Sequence, residues 1–173
     1  MRKEKIGFAM CGSFCTHEAA LEALRALTER YETVVPILSE TAASTDTRFG
    51  EAEELSAALF QMTGKEPLND IPSVEPIGPK KMLDVLVVAP ATGNTLAKLA
   101  AGITDTAVTM AVKAHLRNGR PVVLAVASND GLAVGARNIG ELLSRRHYYL
   151  EHCRDRKTAH KYIRKDAFSH TFS

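Results

Sequence analysis

The stretch Asp84-Val85-Leu86-Val87-Val88-Ala89 runs directly into Pro90-Ala91-Thr92-Gly93 and then Asn94-Thr95-Leu96-Ala97-Lys98-Leu99-Ala100-Ala101-Gly102-Ile103. The apolar, valine-rich opening reads as a strand buried on both faces, as strands of parallel sheets are. Small residues follow, and then Leu96, Leu99, Ala100 and Ile103 recur at helical spacing. Strand, small-residue loop and helix in this order form the repeating unit of an α/β domain.

The same alternation extends to both sides. Upstream, Lys5–Met10 is a short apolar strand closed by Cys11-Gly12-Ser13, and His17–Tyr31 carries Ala20, Leu24, Leu27 and Tyr31 on one helical stripe behind a Thr16 cap. Thr33–Leu38 is a second strand, with Pro36 marking an edge or a bulge. Ser39–Thr47 reads as a loop without core periodicity. Phe49–Thr63 is a helix with Leu55, Leu59 and Met62 on one face, stopped by Gly64. Lys65–Lys81 contains four prolines and reads as a loop with at most one short strand. Downstream, Thr106–Asn118 is a helix capped by Asp105 and stopped by Gly119, with Val108, Val112 and His115 aligned. Pro121–Ala127 is a buried strand, Ser128–Gly131 a turn, Gly135–Arg146 a helix, and Tyr148–Leu150 the start of a last strand.

The fold class is therefore α/β with a mostly parallel sheet. Such sheets bind ligands outside the carboxyl ends of their strands. The loops Cys11–Thr16, Ser39–Arg48, Pro90–Thr95 and Ser128–Gly131 should share that edge, and all are rich in Gly, Ser, Thr or Asn.

Composition narrows the classes of function. The 173 residues are 45% hydrophobic and 24% charged, as expected of one globular domain. No apolar run approaches the roughly 18 residues of a membrane span, and no signal peptide is seen. Three cysteines do not make a disulfide framework, so the expected setting is cytoplasmic. The net charge of +2 is unevenly placed: residues 1–150 hold 16 basic against 17 acidic side chains, and residues 151–173 hold 6 against 3. The body is neutral and only the tail is basic, which argues against nucleic acid as the partner. Residues 151–173 have few large apolar side chains to offset an ordering entropy of roughly 1–2 kcal/mol per residue, so a domain over 1–150 with a mobile basic tail is expected.

Several residues could carry chemistry. Cys11-Gly12-Ser13-Phe14-Cys15-Thr16 would aim backbone N–H groups at a phosphate, although any strand–helix turn can look alike. Neither the dinucleotide fingerprint G-x-G-x-x-G nor the P-loop is present, which favours a monophosphate. Cys11, Cys15 and His17 supply only three potential ligands at a spacing unlike a zinc knuckle, so no metal is expected. Cys15 reads as a small loop residue and His115 as a core or interface histidine. Asp46 and Arg48 either act on an acidic substrate or order a long loop.

The run Ala89-Pro90-Ala91-Thr92-Gly93-Asn94-Thr95 through Lys98, Ala100, Gly102 and Asp105 resembles the signature A-P-x-S-A-N-T-x-x-K-x-A-x-G-x-x-D of the homo-oligomeric flavin-containing cysteine decarboxylase superfamily. Gly12–Thr16, Ser44–Gly50, Glu75–Lys80, Asn118–Val123 and Ser128-Asn129-Asp130 resemble one branch of it, the B-subunit family of dipicolinate synthases. The resemblance covers roughly residues 5–150.

It implies a flavodoxin-like, Rossmann-like three-layer sandwich and an FMN site. Gly12, Ser13, Phe14 and Ser39 would hold the phosphate. Pro90, Ala91, Thr92, Gly93, Asn94 and Thr95, with Ser128 and Asn129, would hold the ribityl chain and ring. It also implies a homo-oligomer, a trimer or a multiple of trimers, and the Ala-rich helices Asn94–Ile103 and Thr106–His115 suit close packing between chains. The implied partner is a dipicolinate synthase A subunit that binds NADP. The pair would oxidise dihydrodipicolinate, a small dicarboxylate, to dipicolinate during sporulation. No catalytic residue of this chain is assigned. The decarboxylases of the superfamily carry a His where this chain has Pro76 and P-A-M-N where it has Ala127-Ser128-Asn129-Asp130, which argues against decarboxylation. A chain that merely assists the A subunit, with an empty or altered flavin pocket, is the alternative. After Leu150 the resemblance stops.

Overall fold

The computed structural model describes residues 1–128 and 134–152. Five strands form one sheet in the order β2-β1-β3-β4-β5, every neighbouring pair parallel. They are β1 (Arg2–Met10), β2 (Tyr31–Leu38), β3 (Val85–Thr92), β4 (Val122–Ala127) and β5 (Tyr148–His152). The central strands are buried on both faces, as their unbroken apolar character requires: Ile6, Phe8, Ala9, Met10, Leu86, Val88 and Leu124 have no exposed surface.

Helices cover both faces and make the three layers. They are α1 (His17–Thr28), α2 (Glu40–Ser44), α3 (Ala52–Thr63), α4 (Ile71–Val74), α5 (Gly93–Ala101), α6 (Ala107–Leu116) and α7 (Val134–Leu143). Two apolar cores result. On one face Leu24 and Leu27 of α1 and Leu59 of α3 pack against Ile6, Phe8, Val85 and Val87. On the other, Val108, Ala111 and Val112 of α6 and Leu96 and Leu99 of α5 pack against Ala9, Leu86, Val88 and Leu124. Among the described residues no helix is long and apolar enough to cross a membrane.

The expected architecture holds, with local differences. Tyr31 belongs to β2, not to the first helix: α1 ends at Thr28, the chain turns through Glu29 and Arg30, and Tyr31 pairs with Arg2. Thr16 stands at the N-cap but makes no side-chain cap; its hydroxyl donates to the Ser13 carbonyl at 2.7 Å, closing a 3₁₀ turn over Phe14–Thr16. Pro36 does lie on an edge strand. Its carbonyl accepts from Leu68 N at 3.0 Å, while Leu38 N donates to the Leu68 carbonyl at 2.9 Å.

The segment read as a structureless loop after β2 holds α2, capped by Ser39, whose hydroxyl accepts from Ala42 N at 3.2 Å. The helix expected from Phe49 begins at Ala52, because Asp46 accepts from Ala52 N at 2.9 Å and fixes the preceding turn. Asp46 therefore orders the loop. Arg48 lies over the ring of its neighbour Phe49, its guanidinium 4.8 Å from the ring centre. The proline-rich segment contains α4 and a 3₁₀ turn, Glu75–Ile77, that holds Pro76. Ile103 lies beyond α5 and is 46% exposed.

At α6 the cap is Thr106, not Asp105. Thr106 and Thr109 make a reciprocal capping box, and Asp105 instead pairs with Lys98 at 2.9 Å. The small residues Ala107, Ala111 and Ala114 of α6 are buried in their own chain's core. The outward face of this helix carries Lys113, with Met110 and Leu116 partly exposed beside it.

Candidate functional site

The strand order reverses direction between β1 and β3: the chain leaves β1 towards β2 on one side and later places β3 on the other. Loops leaving two such strands part to opposite faces and open a crevice at the carboxyl edge, the usual ligand position in open α/β sheets. Here the crevice is a cleft of about 290 Å³ lined by Cys11, Gly12, Ser39, Glu40, Thr41, Thr92, Asn94, Thr95, Lys98 and Thr106. Four segments that are far apart in sequence converge on it.

Its floor is a hydrogen-bonded stack. Cys11 N donates to the Pro90 carbonyl across β1 and β3 at 3.3 Å, and Ser39 N donates to the Met10 carbonyl at 2.9 Å. Thr92 caps α5, its hydroxyl accepting from Thr95 N at 3.2 Å. The Thr95 hydroxyl donates to Cys11 Sγ at 3.2 Å, and the Thr92 hydroxyl lies 2.9 Å from that of Thr95. Burial pushes the Cys11 thiol up to about 11, so it stays protonated and is a poor nucleophile near neutral pH.

Gly12 meets a spatial requirement at the wall. A Cβ there would stand 3.2 Å from Thr41 Cγ2, so a side chain would crowd the cleft against α2. Gly93 plays the same part opposite Ser128, whose Oγ would lie 3.1 Å from an added Cβ.

The charged groups of the cleft are held by partners. Lys98 Nζ makes hydrogen bonds of 2.9 and 3.1 Å to the two Asp105 oxygens. Glu40 reaches from α2 to the start of α6, where its Oε1 accepts from Ala107 N at 2.8 Å.

A second cleft, of about 440 Å³, lies beside the first between α1, α3 and the loop before α3, with Phe14, Cys15, His17, Phe49 and Leu55 among its walls. His17 donates through Nε2 to the Cys11 carbonyl at 2.8 Å and packs its ring against Phe14, with ring centres 5.2 Å apart. Burial lowers its pKa, the Cys11 bond opposing. His17 is thus the link between the two clefts.

Of the residues singled out from the sequence, Gly12, Ser39, Thr92, Asn94 and Thr95 are brought together on the first cleft. Phe14 faces the second. Pro90 and Ala91 are buried, Ala91 with no exposed surface in the core behind the cleft. Ser13 closes the turn through its carbonyl, and Gly93 and Ser128 touch at the adjoining loop. Asn129 lies outside the described residues. Glu40, Thr41, Lys98 and Thr106 line the cleft without having been foreseen. Lys98 was legible as the fixed basic position of the signature, and Glu40 and Thr41 follow the N-cap Ser39. Among the described residues no cluster of His, Cys, Asp or Glu could hold a metal ion.

Comparison with known proteins agrees with this fold. Residues 1–143 match the model of the family described as Flavoprotein. The chain belongs to the flavoprotein family. Within it, the chain is 40% identical over 150 residues to the dipicolinate synthase B subunit of Bacillus subtilis (strain 168), covering 87% of this chain and 75% of that protein. The crystal structure of the dipicolinate synthase B subunit from Bacillus halodurans C superposes with a TM-score of 0.75 at 38% identity, covering 85% of this flavoprotein and 75% of that chain. An FMN-dependent cysteine decarboxylase superposes with a TM-score of 0.71 at 24% identity, over 86% of this chain and 83% of its own, and shows the shared fold.

Proposed function

We propose that this flavoprotein is the B subunit of a dipicolinate synthase and holds an FMN-type flavin at the β1/β3 crevice. The observation that carries the reading is the convergence of Gly12, Ser39, Thr92, Asn94 and Thr95 on one cleft at the switch point, in a chain 40% identical to a dipicolinate synthase B subunit. The donor set suits a flavin's polyol chain and ring edge. Hydroxyls of Ser39, Thr41, Thr92, Thr95 and Thr106 and the Asn94 amide ring a bare-backbone wall at Gly12. Ser13, Gly93 and Ser128 are proposed to border the site, with Pro90 and Ala91 backing it from the core and Phe14 on the neighbouring cleft.

A bound flavin would supply two-electron redox chemistry at the cleft, while NADP on the A subunit would take the hydride lost by the substrate. The chain's own residues bind and orient: α5 presents its N-terminus behind the Thr92 cap, and the buried Cys11–Thr95 pair keeps the floor dry and unreactive. The partner A subunit would carry NADP, and the pair would oxidise dihydrodipicolinate to dipicolinate in the cytoplasm during sporulation. Pro76, in its 3₁₀ turn, has no proton to give where the decarboxylases have His, and decarboxylation is not part of the proposal.

Purified protein titrated with FMN should quench flavin fluorescence and shift the flavin absorption bands. A protein that leaves the flavin spectrum unchanged would overturn the flavin site and favour the second reading, an assisting subunit with an altered pocket. That reading draws support from the cleft's 290 Å³, at the lower limit of the about 300–1,000 Å³ of small-molecule sites. Asn94→Asp, which replaces an N–H donor by a carboxylate, should weaken FMN binding by about 1–3 kcal/mol. Equal affinity in the variant would remove Asn94 from the site.

The small cleft also bears on assembly. A flavin would extend beyond it, so a second copy is proposed to complete the wall in a trimer or a multiple of trimers. The outward faces of α5 and α6, with the exposed Ile103 between them, are the proposed contact elements. Sedimentation as a monomer would contradict it. The division into a body over 1–150 and a separate basic tail is likewise proposed; residues 153–173 lie outside the described residues.

A further inference from the structure

Cys11 and His17 meet in the structure through a carbonyl, not through the thiol. The His17 ring donates from Nε2 to the Cys11 carbonyl at 2.8 Å, and this bond spans the segment that links β1 to α1. The acceptor is a carbonyl oxygen, so Nε2 carries the proton.

Cys11 is a node at the switch point. Its N–H donates to the Pro90 carbonyl of β3 at 3.3 Å, and its carbonyl also accepts from Ser13 N at 2.9 Å. Its sulfur accepts from the Thr95 hydroxyl of α5 at 3.2 Å. Strands β1 and β3 and helix α5 are thus joined at one residue, and His17 is the side chain that fastens α1 to it. Within the span, Thr16 N and the Thr16 hydroxyl both donate to the Ser13 carbonyl, at 3.0 and 2.7 Å. The N–H groups of Phe14 and Cys15 open the 3₁₀ turn and have no acceptor within it. Gly12 lines the switch-point cleft, whereas His17 stands behind the segment, half-buried, with its ring against Phe14.

We infer that His17 is a positioning residue for a flavin phosphate: its clasp on the Cys11 carbonyl holds Gly12, Ser13 and Phe14 in the arch that would receive the phosphate ester. The inference rests on the flavin reading above and adds the residue that keeps the phosphate segment in shape. A backbone arch binds an anion well only when its N–H groups are already aimed, because ordering them on arrival of the ligand costs conformational entropy. Ser39, the other phosphate residue, is fixed by its own N–H bond to the Met10 carbonyl at 2.9 Å. The groups proposed for the polyol chain, Thr92 and Thr95, are held by the α5 cap. Loss of the clasp should therefore fall on the phosphate and spare the rest of the flavin.

Two variants separate the bond from the ring. His17→Phe keeps an aromatic ring beside Phe14 and loses the donor, whereas His17→Gln loses the ring and keeps an N–H that can reach the Cys11 carbonyl. Burial holds His17 below the ordinary histidine value, so all three side chains are uncharged at pH 7.5 and no charge is changed beside the phosphate. The Cys11 carbonyl keeps its bond from Ser13 N in both variants, so the fold should stand, and the thermal midpoint checks it. The full chain is titrated with FMN and with riboflavin, read by flavin fluorescence. His17→Phe should bind FMN about tenfold more weakly while its riboflavin affinity changes by no more than about twofold, and His17→Gln should return FMN binding to within about threefold of the wild type.

Unchanged FMN affinity in His17→Phe overturns the inference. Equal weakening of FMN and riboflavin does so too, since a merely structural residue would act on both. A His17→Gln variant as weak as His17→Phe assigns the effect to the ring and also overturns it. In each of these cases the wild type still binds FMN, so the flavin site stands and only His17 is acquitted. If neither flavin binds the wild type, the site reading falls and the inference falls with it.

Discussion

Gly78→Ala should destabilise the protein by about 2–3 kcal/mol, the upper part of the range for forcing an atom into a packed interior. Gly78 follows the Glu75–Ile77 turn and sits directly under α6. An added Cβ would stand 2.8 Å from the Ala114 carbonyl oxygen and 3.4 Å from both Ala114 C and Ala114 Cα. These are backbone atoms of a helix locked into the core, so they cannot rotate away as a side-chain terminus would. The strain is purely spatial, since Gly78 has φ −68° and ψ −69°, which any residue adopts.

The same glycine's carbonyl accepts from Asn118 Nδ2 at 2.9 Å, which ties the turn to the end of α6. A shift that relieves the clash would therefore stretch this bond too. For a domain of this size each kcal/mol moves the thermal midpoint by about 2–4 °C, so a drop of about 4–12 °C is expected by calorimetry or circular dichroism. A midpoint within a degree of the wild type would show that the turn can move off α6 at little cost. By contrast, Gly64→Ala removes a left-handed glycine, with φ 68°, that has no neighbour within 4 Å. There the penalty should come from backbone conformation alone and be the smaller of the two, about 1 kcal/mol.

How much of this was legible in the sequence depends on the length scale of each signal. The β3 to α5 unit was readable because its cues are local: an unbroken apolar strand, small residues, and Leu96 and Leu99 on a helical stripe. Gly64 and Gly119 were readable as stops, and both take positive φ, 68° and 66°.

Tyr31 misled because it continues the spacing of Ala20, Leu24 and Leu27 and is buried, 4% exposed. Periodicity records burial and cannot say whether a helix or the next strand delivers it. The five residues of α2 are too few to show a period, and only the Ser39 cap hinted at them. Asp105 and Thr106 are both good caps standing side by side. Thr106 has Thr109 three residues on to complete a reciprocal capping box, and Asp105 pairs with Lys98 instead.

The site residues divide in the same way. Gly12, Ser39, Thr92, Asn94 and Thr95 lie in segments whose composition alone marks them, although the expected Pro90–Thr95 loop is a direct junction in which β3 ends at Thr92 and α5 begins at Gly93. Glu40 becomes a cleft residue through a bond to Ala107, a partner 67 positions away, and that proximity exists only once β3 has been placed on the far side of β1.

The stability of the protein should fall as the pH drops from about 6.5 to about 4, and His115 should account for up to about 3 kcal/mol of that loss. His115 closes α6 and has no exposed surface. Its Nε2 donates to the Pro121 carbonyl at 3.0 Å, and among the described residues its buried Nδ1 has no partner. Burial is the main cause that lowers its pKa to about 4; the nearby Arg120 guanidinium adds to the effect, while the Pro121 bond and Asp84 oppose it.

The unfolded chain takes up a proton on this ring near pH 6.5, whereas the folded chain refuses it until about pH 4. In that interval the unfolded state binds more protons, so stability rises with pH and is fully present above 6.5. His17 is also lowered by burial and adds to the slope. Asp70 and Asp105, held below the ordinary carboxylate value by Ser73 and Lys98, titrate beneath the window.

His115→Gln isolates the contribution, because the Gln amide can still donate to the Pro121 carbonyl but cannot ionise. The variant should lose some stability at pH 8 from the missing ring volume, yet its thermal midpoint should be clearly flatter between pH 7 and pH 4.5 than that of the wild type. A variant whose midpoint falls as steeply as the wild type would place the acid sensitivity elsewhere, with His17 the first residue to test.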